Sequence, residues 1–280
     1  MTPTRQPATK DSALLEVTQA DGYQLWRLCN APVNALSPAL LEALERQLNA
    51  ANADESVAVT VITSGLKVFS AGADATWMAG EADRLGVEGL TAEFTKSMDR
   101  FRALCVAMRR SPILFLAALN GHTLAGGLEL AAACDLRYVA DTGTLKIGVP
   151  EMDLFGALPS GGGGVQFLNR LMQPSRALQF ILDAKPISPR EAYSVGLVDR
   201  VVPADKLLSE STSFASAVSA KAGRIGVAAA KRAVLGGAEL PLYEALEFDR
   251  SLHWDAVRRG NFPRGVRSFI DQFASSRRTS

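Results

Sequence analysis

The chain alternates short apolar or β-branched runs with longer segments of helical apolar spacing. Leu14–Thr18 and Tyr23–Leu28 predict two strands joined at Asp21-Gly22, a turn pair suited to a hairpin. Ser37 followed by Pro38 predicts a helix start, because Ser caps free N–H groups and Pro tolerates the first helical position. Leu40, Leu41, Leu44 and Leu48 then form one apolar stripe. Val57–Thr63 and Ile113–Leu119 lack polar alternation, as expected of strands buried on both faces. Between them, Gly80 to Gly89 mixes Gly, Glu and Asp and predicts a mobile surface segment, while Thr91–Arg110 has helical periodicity. A helix over about Ala125 to Ala133 and a strand near Leu136–Val139 follow.

Strands alternating with helices at this spacing predict an α/β core. From Val165 onward the pattern is almost entirely helical, with a capping box at Ser188-Pro-Arg-Glu191. Leu207–Ala222, Gly226–Leu235 and Leu240–Arg258 are further helical segments. No tandem repeat of fixed period is visible. The expected organisation is a flexible leader over residues 1–12, an α/β core over 13–205 and a helical region over 206–280.

Composition narrows the function classes. The 280 residues are 48% hydrophobic, enough for a sizeable core. Thirty basic against 29 acidic residues give a net charge of +1, which argues against nucleic acid or an anionic membrane as the main partner. Cys29, Cys105 and Cys134 sit in apolar surroundings without metal-ligand spacing, so reduced thiols, no metal site and a cytoplasmic location are expected. Neither a signal-peptide pattern nor a membrane-spanning run is apparent.

Two segments then suggest chemistry. Val68-Phe-Ser-Ala-Gly-Ala-Asp74 follows the first buried strand, and Asn120-Gly-His-Thr-Leu-Ala-Gly-Gly-Leu-Glu-Leu130 follows the second. Small residues at a strand end let backbone approach a ligand, and an opening helix presents unpaired N–H groups. Two such groups converging on one point would make an oxyanion hole. Glu129 lies three residues after Gly126, on the same helical face, among Leu128, Leu130, Ala131, Ala132 and Ala133. A carboxylate in such apolar company is costly unless it is paired or useful, although an ordinary helical Glu is the alternative. Glu151, in Ile147-Gly-Val-Pro-Glu151, follows a short strand; by itself it reads as a solvated loop carboxylate.

These motifs together resemble the crotonase superfamily, the enoyl-CoA hydratases and isomerases. The resemblance rests on Phe69-Ser-Ala-Gly-Ala-Asp74, Asn120-Gly with Ala-Gly-Gly-Leu-Glu129-Leu-Ala, Cys134-Asp135, Gly148-Val-Pro-Glu151 and Ser188-Pro-Arg-Glu-Ala through Gly-Leu-Val-Asp199-Arg-Val-Val-Pro203, and spans roughly residues 14 to 275. It implies a spiral of ββα units with a C-terminal helical trimerisation region, as a homotrimer or dimer of trimers. By position it implies Ala73 and Gly126 as oxyanion-hole amides and Glu129 and Glu151 as the catalytic acid/base pair. Lys67, Ala71, Gly72, Asp74 and Gly127 would line the path of substrate and CoA, with Trp77 and Met78 bordering the acyl pocket or its lid, or else packing into the core. Arg264 and Arg267 are candidates for the CoA phosphates or, equally, solvated helix charge. The substrate would be an acyl-CoA thioester, with no separate cofactor.

The resemblance implies hydration of a 2-enoyl thioester, since both glutamates are present. Pro32-Val-Asn-Ala-Leu-Ser37, Val68-Phe-Ser-Ala-Gly72 and the length from Asp135 to Glu151 instead resemble the 3,2-enoyl-CoA isomerases, which makes isomerisation the alternative. Pro159 or a neighbour occupies the position of the extra aspartate of dienoyl-CoA isomerases, which disfavours that branch. Relative to the usual family pattern there are extra residues between Glu151 and Gly164, in a loop that the resemblance implies helps shape the pocket floor. Gly161–Gly164 lacks the Lys-Ser/Thr of a phosphate loop and reads as a tight turn into a helix. His122 has no serine–acid constellation around it. A glycosidase pair is disfavoured by 7% aromatic content. Another acyl-CoA reaction of the family and a non-catalytic CoA- or RNA-binding relative are the remaining alternatives.

Overall fold

The computed structural model of the chain describes residues 4–5, 14–260 and 262–276. Strand β1 (Thr4–Arg5) pairs antiparallel with β2 (Leu15–Ala20), which turns at Gly22 into β3 (Tyr23–Leu28). Two residues of the expected leader thus extend the sheet; the rest of that leader lies outside the described residues. Gly22 adopts φ +77 in the hairpin turn, a conformation glycine takes without strain. Helix α1 (Pro38–Ala53) begins where its sequence predicts, with the Ser37 side chain accepting the Leu40 N–H at 3.2 Å.

Three ββα units follow. The first is β4 (Val59–Ser64), β5 (Val68–Ser70) and α2 (Ala75–Arg110). The second is β6 (Leu114–Leu119), β7 (His122–Leu124) and α3 (Gly126–Ala133). The third is β8 (Leu136–Asp141), β9 (Ile147–Gly148) and α4 (Glu151–Phe155). The repetition lies in the structure although the sequence carries no fixed period. The first strand of each unit enters a large sheet and the second a small one. Helices α5 (Gly164–Leu171), α6 (Pro174–Asp183) and α7 (Pro189–Ser194) lead to β10 (Arg200–Pro203). Helices α8 (Leu207–Gly237), α9 (Leu242–Arg259) and α10 (Phe262–Ser276) complete the described chain.

The large sheet has the order β1-β2-β3-β4-β6-β8-β10, parallel from β3 onward. All six residues of β4 are buried, which explains why this strand has no polar alternation. Trp26 and Phe115 meet edge to face across the core at 5.8 Å. The small sheet has the order β5-β7-β9 and is parallel throughout, so its three strands end at one edge.

One expectation is corrected. The segment from Gly80 to Gly89, read as mobile, is helical and belongs to α2. The Asp74 carboxylate caps this helix by accepting the Thr76 and Trp77 N–H groups, and Gly86 at φ 71 takes up its single break. The two helices expected over 207–235 are joined in α8, with a break at Gly223, φ 61, where the sequence divides them. Lys231 of α8 is buried and pairs with Asp135 at 2.8 Å, while also donating to the carbonyls of Met108 and Ile113. That contact fixes the helical C-terminal region onto the sheet. Helix α10 exposes Phe262, Val266, Phe269 and Ile270 along one face, and α9 exposes Leu242, Tyr243, Leu246 and Trp254.

Candidate active site

Because the small sheet is parallel, the residues that leave β5, β7 and β9 emerge side by side. They are Ala71-Gly72-Ala73, Ala125-Gly126 and Val149-Pro150-Glu151. This is the carboxyl edge of the strands, where open α/β sheets bind ligands. The first two segments touch: a methyl group built on Gly72 would lie 2.6 Å from the Ala125 Cβ and 2.9 Å from the Gly126 nitrogen. Gly72 also has φ +94, so both space and backbone require glycine there.

Two N–H groups are left open at this contact. Ala71 N–H donates to the Val33 carbonyl at 3.0 Å and Gly72 N–H to the Ser70 hydroxyl at 3.2 Å. The next amide, that of the exposed Ala73, has no protein acceptor in the described structure. Gly126 is the first residue of α3, where a helix has no internal acceptor for the N–H. Ala125 before it has φ 51, which turns the chain from β7 directly into α3.

Glu129 lies in the first turn of α3 and is 3% exposed. The apolar neighbours that predicted its burial, Leu128 and Leu130–Ala133, are all buried with it. Its Oε2 accepts the N–H groups of Gly162 at 2.9 Å and Gly164 at 2.7 Å. The glycine run therefore does more than turn into α5: it cradles a carboxylate of its own chain. A methyl built on Gly164 would sit 2.7 Å from the Glu129 Cγ, so the approach needs glycine. Burial pushes the Glu129 pKa up, and the Gly164 and Gly162 amides pull it back. Oε1 faces Gly161, beside Met98.

Glu151 opens α4, at the end of β9. Burial raises its pKa, a hydrogen bond to its own amide lowers it, and the nearby Glu129 charge adds a smaller upward push, leaving it at about 7. Its Oε2 is buried without a hydrogen-bond partner. A carboxyl oxygen so placed is prepared to hold a proton or meet a ligand. Glu129 and Glu151 thus share one edge in two different environments, one with its Oε2 cradled by two amides and one with its Oε2 unpartnered.

The other predicted residues lie around this edge in different settings. Lys67 is exposed just before β5. Asp74 is committed to capping α2. Gly127 is buried, and a methyl there would lie 2.4 Å from the Ser70 carbonyl oxygen, which makes it a close-packing position. Trp77 and Met78 are partly exposed at the start of α2, and Arg264 and Arg267 are exposed on α10. His122 accepts the Lys146 N–H through Nδ1. Asp135 accepts the Phe115 N–H at 2.7 Å besides pairing with Lys231, a structural use. The three cysteines are unpaired, with burial raising the thiol pKa of each.

The residues that sequence reasoning missed are Gly162 and Gly164 as partners of Glu129, together with Ser70 and Asn34 beneath the two open amides. The small side chains of the Gly run were a visible signal, but its carboxylate partner was not. Among the described residues no cluster of three or more His, Cys, Asp or Glu side chains is placed to hold a metal ion, and no helix is long and apolar enough to cross a membrane. A cavity of about 450 Å³ lies elsewhere, beside the α8 break, lined by Arg224, Arg232, Leu252 and Arg259. It lacks the carboxylate pair, and Arg224 is committed to the carbonyls of Ala51, Asn52, Asp54 and Val57.

Comparison with known proteins identifies relatives of the chain by sequence and by fold. A family model described as enoyl-CoA hydratase/isomerase matches residues 25–275. A probable enoyl-CoA hydratase of Mycobacterium tuberculosis is 35% identical over 245 residues, covering 86% of this chain and 88% of the relative. One of Rhizobium meliloti is 35% identical over 238 residues, covering 85% and 87%. An enoyl-CoA hydratase structure from Geobacillus kaustophilus superposes with a TM-score of 0.85 at 29% identity, covering 97% of both chains. One from Bacillus anthracis gives 0.84 at 30% identity, covering 92% of this chain and 96% of the other. By sequence and by fold alike, the chain belongs to the enoyl-CoA hydratase/isomerase family.

Proposed function

We propose that this chain is an enoyl-CoA hydratase that adds water across the 2-enoyl double bond of an acyl-CoA thioester. The observation that carries the reading is the carboxylate pair at one sheet edge, beside two open amides. The Ala73 and Gly126 N–H groups hold the thioester oxygen and stabilise the enolate that forms on it. Losing one such donor costs roughly 2.7–4 kcal/mol of transition-state stabilisation. Glu129 keeps the base role because two backbone amides favour its ionised form at Oε2, leaving Oε1 to accept from a water. The water oxygen bonds to the β-carbon. Glu151, whose pKa lies near neutrality, delivers a proton to the α-carbon.

On this reading CoA arrives as part of the substrate and no separate cofactor takes part. Lys67 and the backbone of Ala71 and Gly72 border the CoA path, Asp74 and Gly127 fix the local geometry, and Arg264 and Arg267 either meet the CoA phosphates from a neighbouring subunit or serve as solvated helix charge. The apolar faces of α9 and α10 support assembly as a homotrimer or dimer of trimers. The unpaired cysteines support a cytoplasmic location, and the near-neutral charge balance supports the absence of a nucleic-acid or membrane partner. The second reading is 3,2-enoyl-CoA isomerisation, which needs one proton carrier; the partnerless Glu151 oxygen serves that reaction as well. Incubation with a short 2-enoyl-CoA and with a 3-enoyl-CoA separates the two. Hydration of the 2-enoyl thioester, followed by loss of its conjugated absorbance, is expected to be the faster reaction. Isomerisation of the 3-enoyl substrate without hydration of the 2-enoyl one replaces the first reading by the second.

A further inference from the structure

Ser70 is the last residue of β5 and is fully buried directly beneath the two open amides. Its hydroxyl donates to the Asn34 carbonyl at 2.7 Å and accepts the Gly72 N–H at 3.2 Å. Three consecutive amides leave β5, and the first two are consumed: Ala71 by Val33, and Gly72 by Ser70. Only the third, Ala73, stays open. The Gly72 carbonyl meanwhile accepts the Leu36 N–H at 2.7 Å, so both sides of that residue are tied. Ser70 also meets the second segment, since a methyl on Gly127 would lie 2.4 Å from its carbonyl oxygen and 2.7 Å from its Cβ.

The partner of Ser70 is itself immobilised. Asn34 is fully buried at φ 49, and its Nδ2 donates to the Ser64 hydroxyl at 2.7 Å and the Phe69 carbonyl at 2.9 Å. It thereby ties the end of β4 to β5. The path Asn34–Ser70–Gly72 ends one residue before the open Ala73 amide, and the opposite side of Ser70 supports the start of α3.

We propose that Ser70 is a positioning residue of the oxyanion hole, aiming the Ala73 N–H by holding the Gly72 N–H and setting its distance from Gly126 through Gly127. The inference rests on the reading that Ala73 and Gly126 bind the thioester oxygen. Without the hydroxyl, the Gly72 N–H is buried and unpaired, a state the chain escapes by rotating the neighbouring peptides. The Ala73 N–H turns with them, and the enolate loses alignment more than the bound substrate loses affinity.

The test uses the full chain with Ser70→Ala and Ser70→Cys. The carbonyl stretch of bound, carbonyl-labelled butyryl-CoA, a saturated thioester that cannot be hydrated, reports the hydrogen bonds directly by difference infrared spectroscopy. Binding to the parent protein should lower that frequency. Ser70→Ala should return part of the shift, with Ser70→Cys between, because a thiol bonds more weakly. With a 2-enoyl-CoA, kcat should fall about tenfold in Ser70→Ala, equivalent to roughly 1.4 kcal/mol, while KM stays within about twofold. An unchanged frequency in either variant overturns the proposal, whatever happens to the rate, because a purely structural loss leaves surviving sites intact. If Ser70→Ala does not fold, the Ser70→Cys frequency decides. No shift in the parent protein overturns the oxyanion-hole reading and this one with it. A shift in the parent without hydration of any 2-enoyl-CoA refutes the hydratase reading alone, and the comparison of frequencies still decides the role of Ser70.

Discussion

Replacing Glu151 by Gln should stabilise the protein at alkaline pH while removing its activity. The carboxyl has an ordinary pKa of 4.5 in the unfolded chain, and burial raises it to about 7 in the folded one. Between those values the folded state keeps a proton that the unfolded state has released. Stability therefore falls as pH rises through this window, and the loss is complete above the folded pKa. At 1.36 kcal/mol per pH unit the full loss is about 3 kcal/mol. The carboxyl is partly exposed, and solvent screening reduces the figure to about 1–2 kcal/mol. Gln carries no charge and has no such loss at any pH. The variant should match the parent in Tm near pH 4.5 and exceed it above pH 8 by about 2–4 °C per kcal/mol, toward the lower end for a chain of this length. Thermal unfolding of both proteins at pH 5 and pH 8 reads the difference. An equal Tm gap at both pH values, or a variant less stable than the parent at pH 8, refutes the assignment of a destabilised carboxylate at this position.

Three further outcomes follow from the same geometry. Lys231→Met strands the buried Asp135 carboxylate and should lower the unfolding free energy by about 3–5 kcal/mol in urea titration; a loss below about 1 kcal/mol contradicts the pairing. Gly127→Ala forces a methyl to within 2.4 Å of the Ser70 carbonyl, so the start of α3 must shift. It should cost about 1–3 kcal/mol of stability and lower kcat more than stability alone explains, as steady-state kinetics on the folded fraction will show. The pH profile of kcat/KM for hydration should fall on the alkaline side near pH 7, as Glu151 loses the proton it donates, and on the acid side as Glu129, raised above its ordinary pKa of 4.5, gains one. A flat profile between pH 5 and pH 9 opposes these roles.

Much of the scaffold was legible because local signals coincide with tertiary demands. The Ser37 cap, the Ser188–Glu191 capping box and the buried β4 strand all follow from residues close in sequence. The burial of Glu129 was legible in its apolar neighbours. Its anchoring was not, because the Gly162 and Gly164 amides stand 33 and 35 residues away and reach it only through the chain path from β9 to α5. The small sheet was largely hidden for another reason. Strands of two or three residues, such as Ile147–Gly148, are too short to show a period of two. The polar composition of residues 80–89 suggested mobility, but the Asp74 cap and the single break at Gly86 let α2 run through it. Lys231 and Asp135 lie far apart in sequence, and the fold alone brings them together.

In the proposed mechanism, two carboxylates of different environment perform hydration together at the edge of the small sheet. Its most direct test is the initial rate of hydration of a short 2-enoyl-CoA by the parent, Glu129→Gln and Glu151→Gln proteins, each first shown to bind a saturated acyl-CoA. Both substitutions should lower kcat by about 10²-fold or more, the scale of a lost general acid or base, while thioester binding persists. Hydration by Glu129→Gln at the parent rate would contradict that mechanism and leave Glu151 as a lone proton carrier.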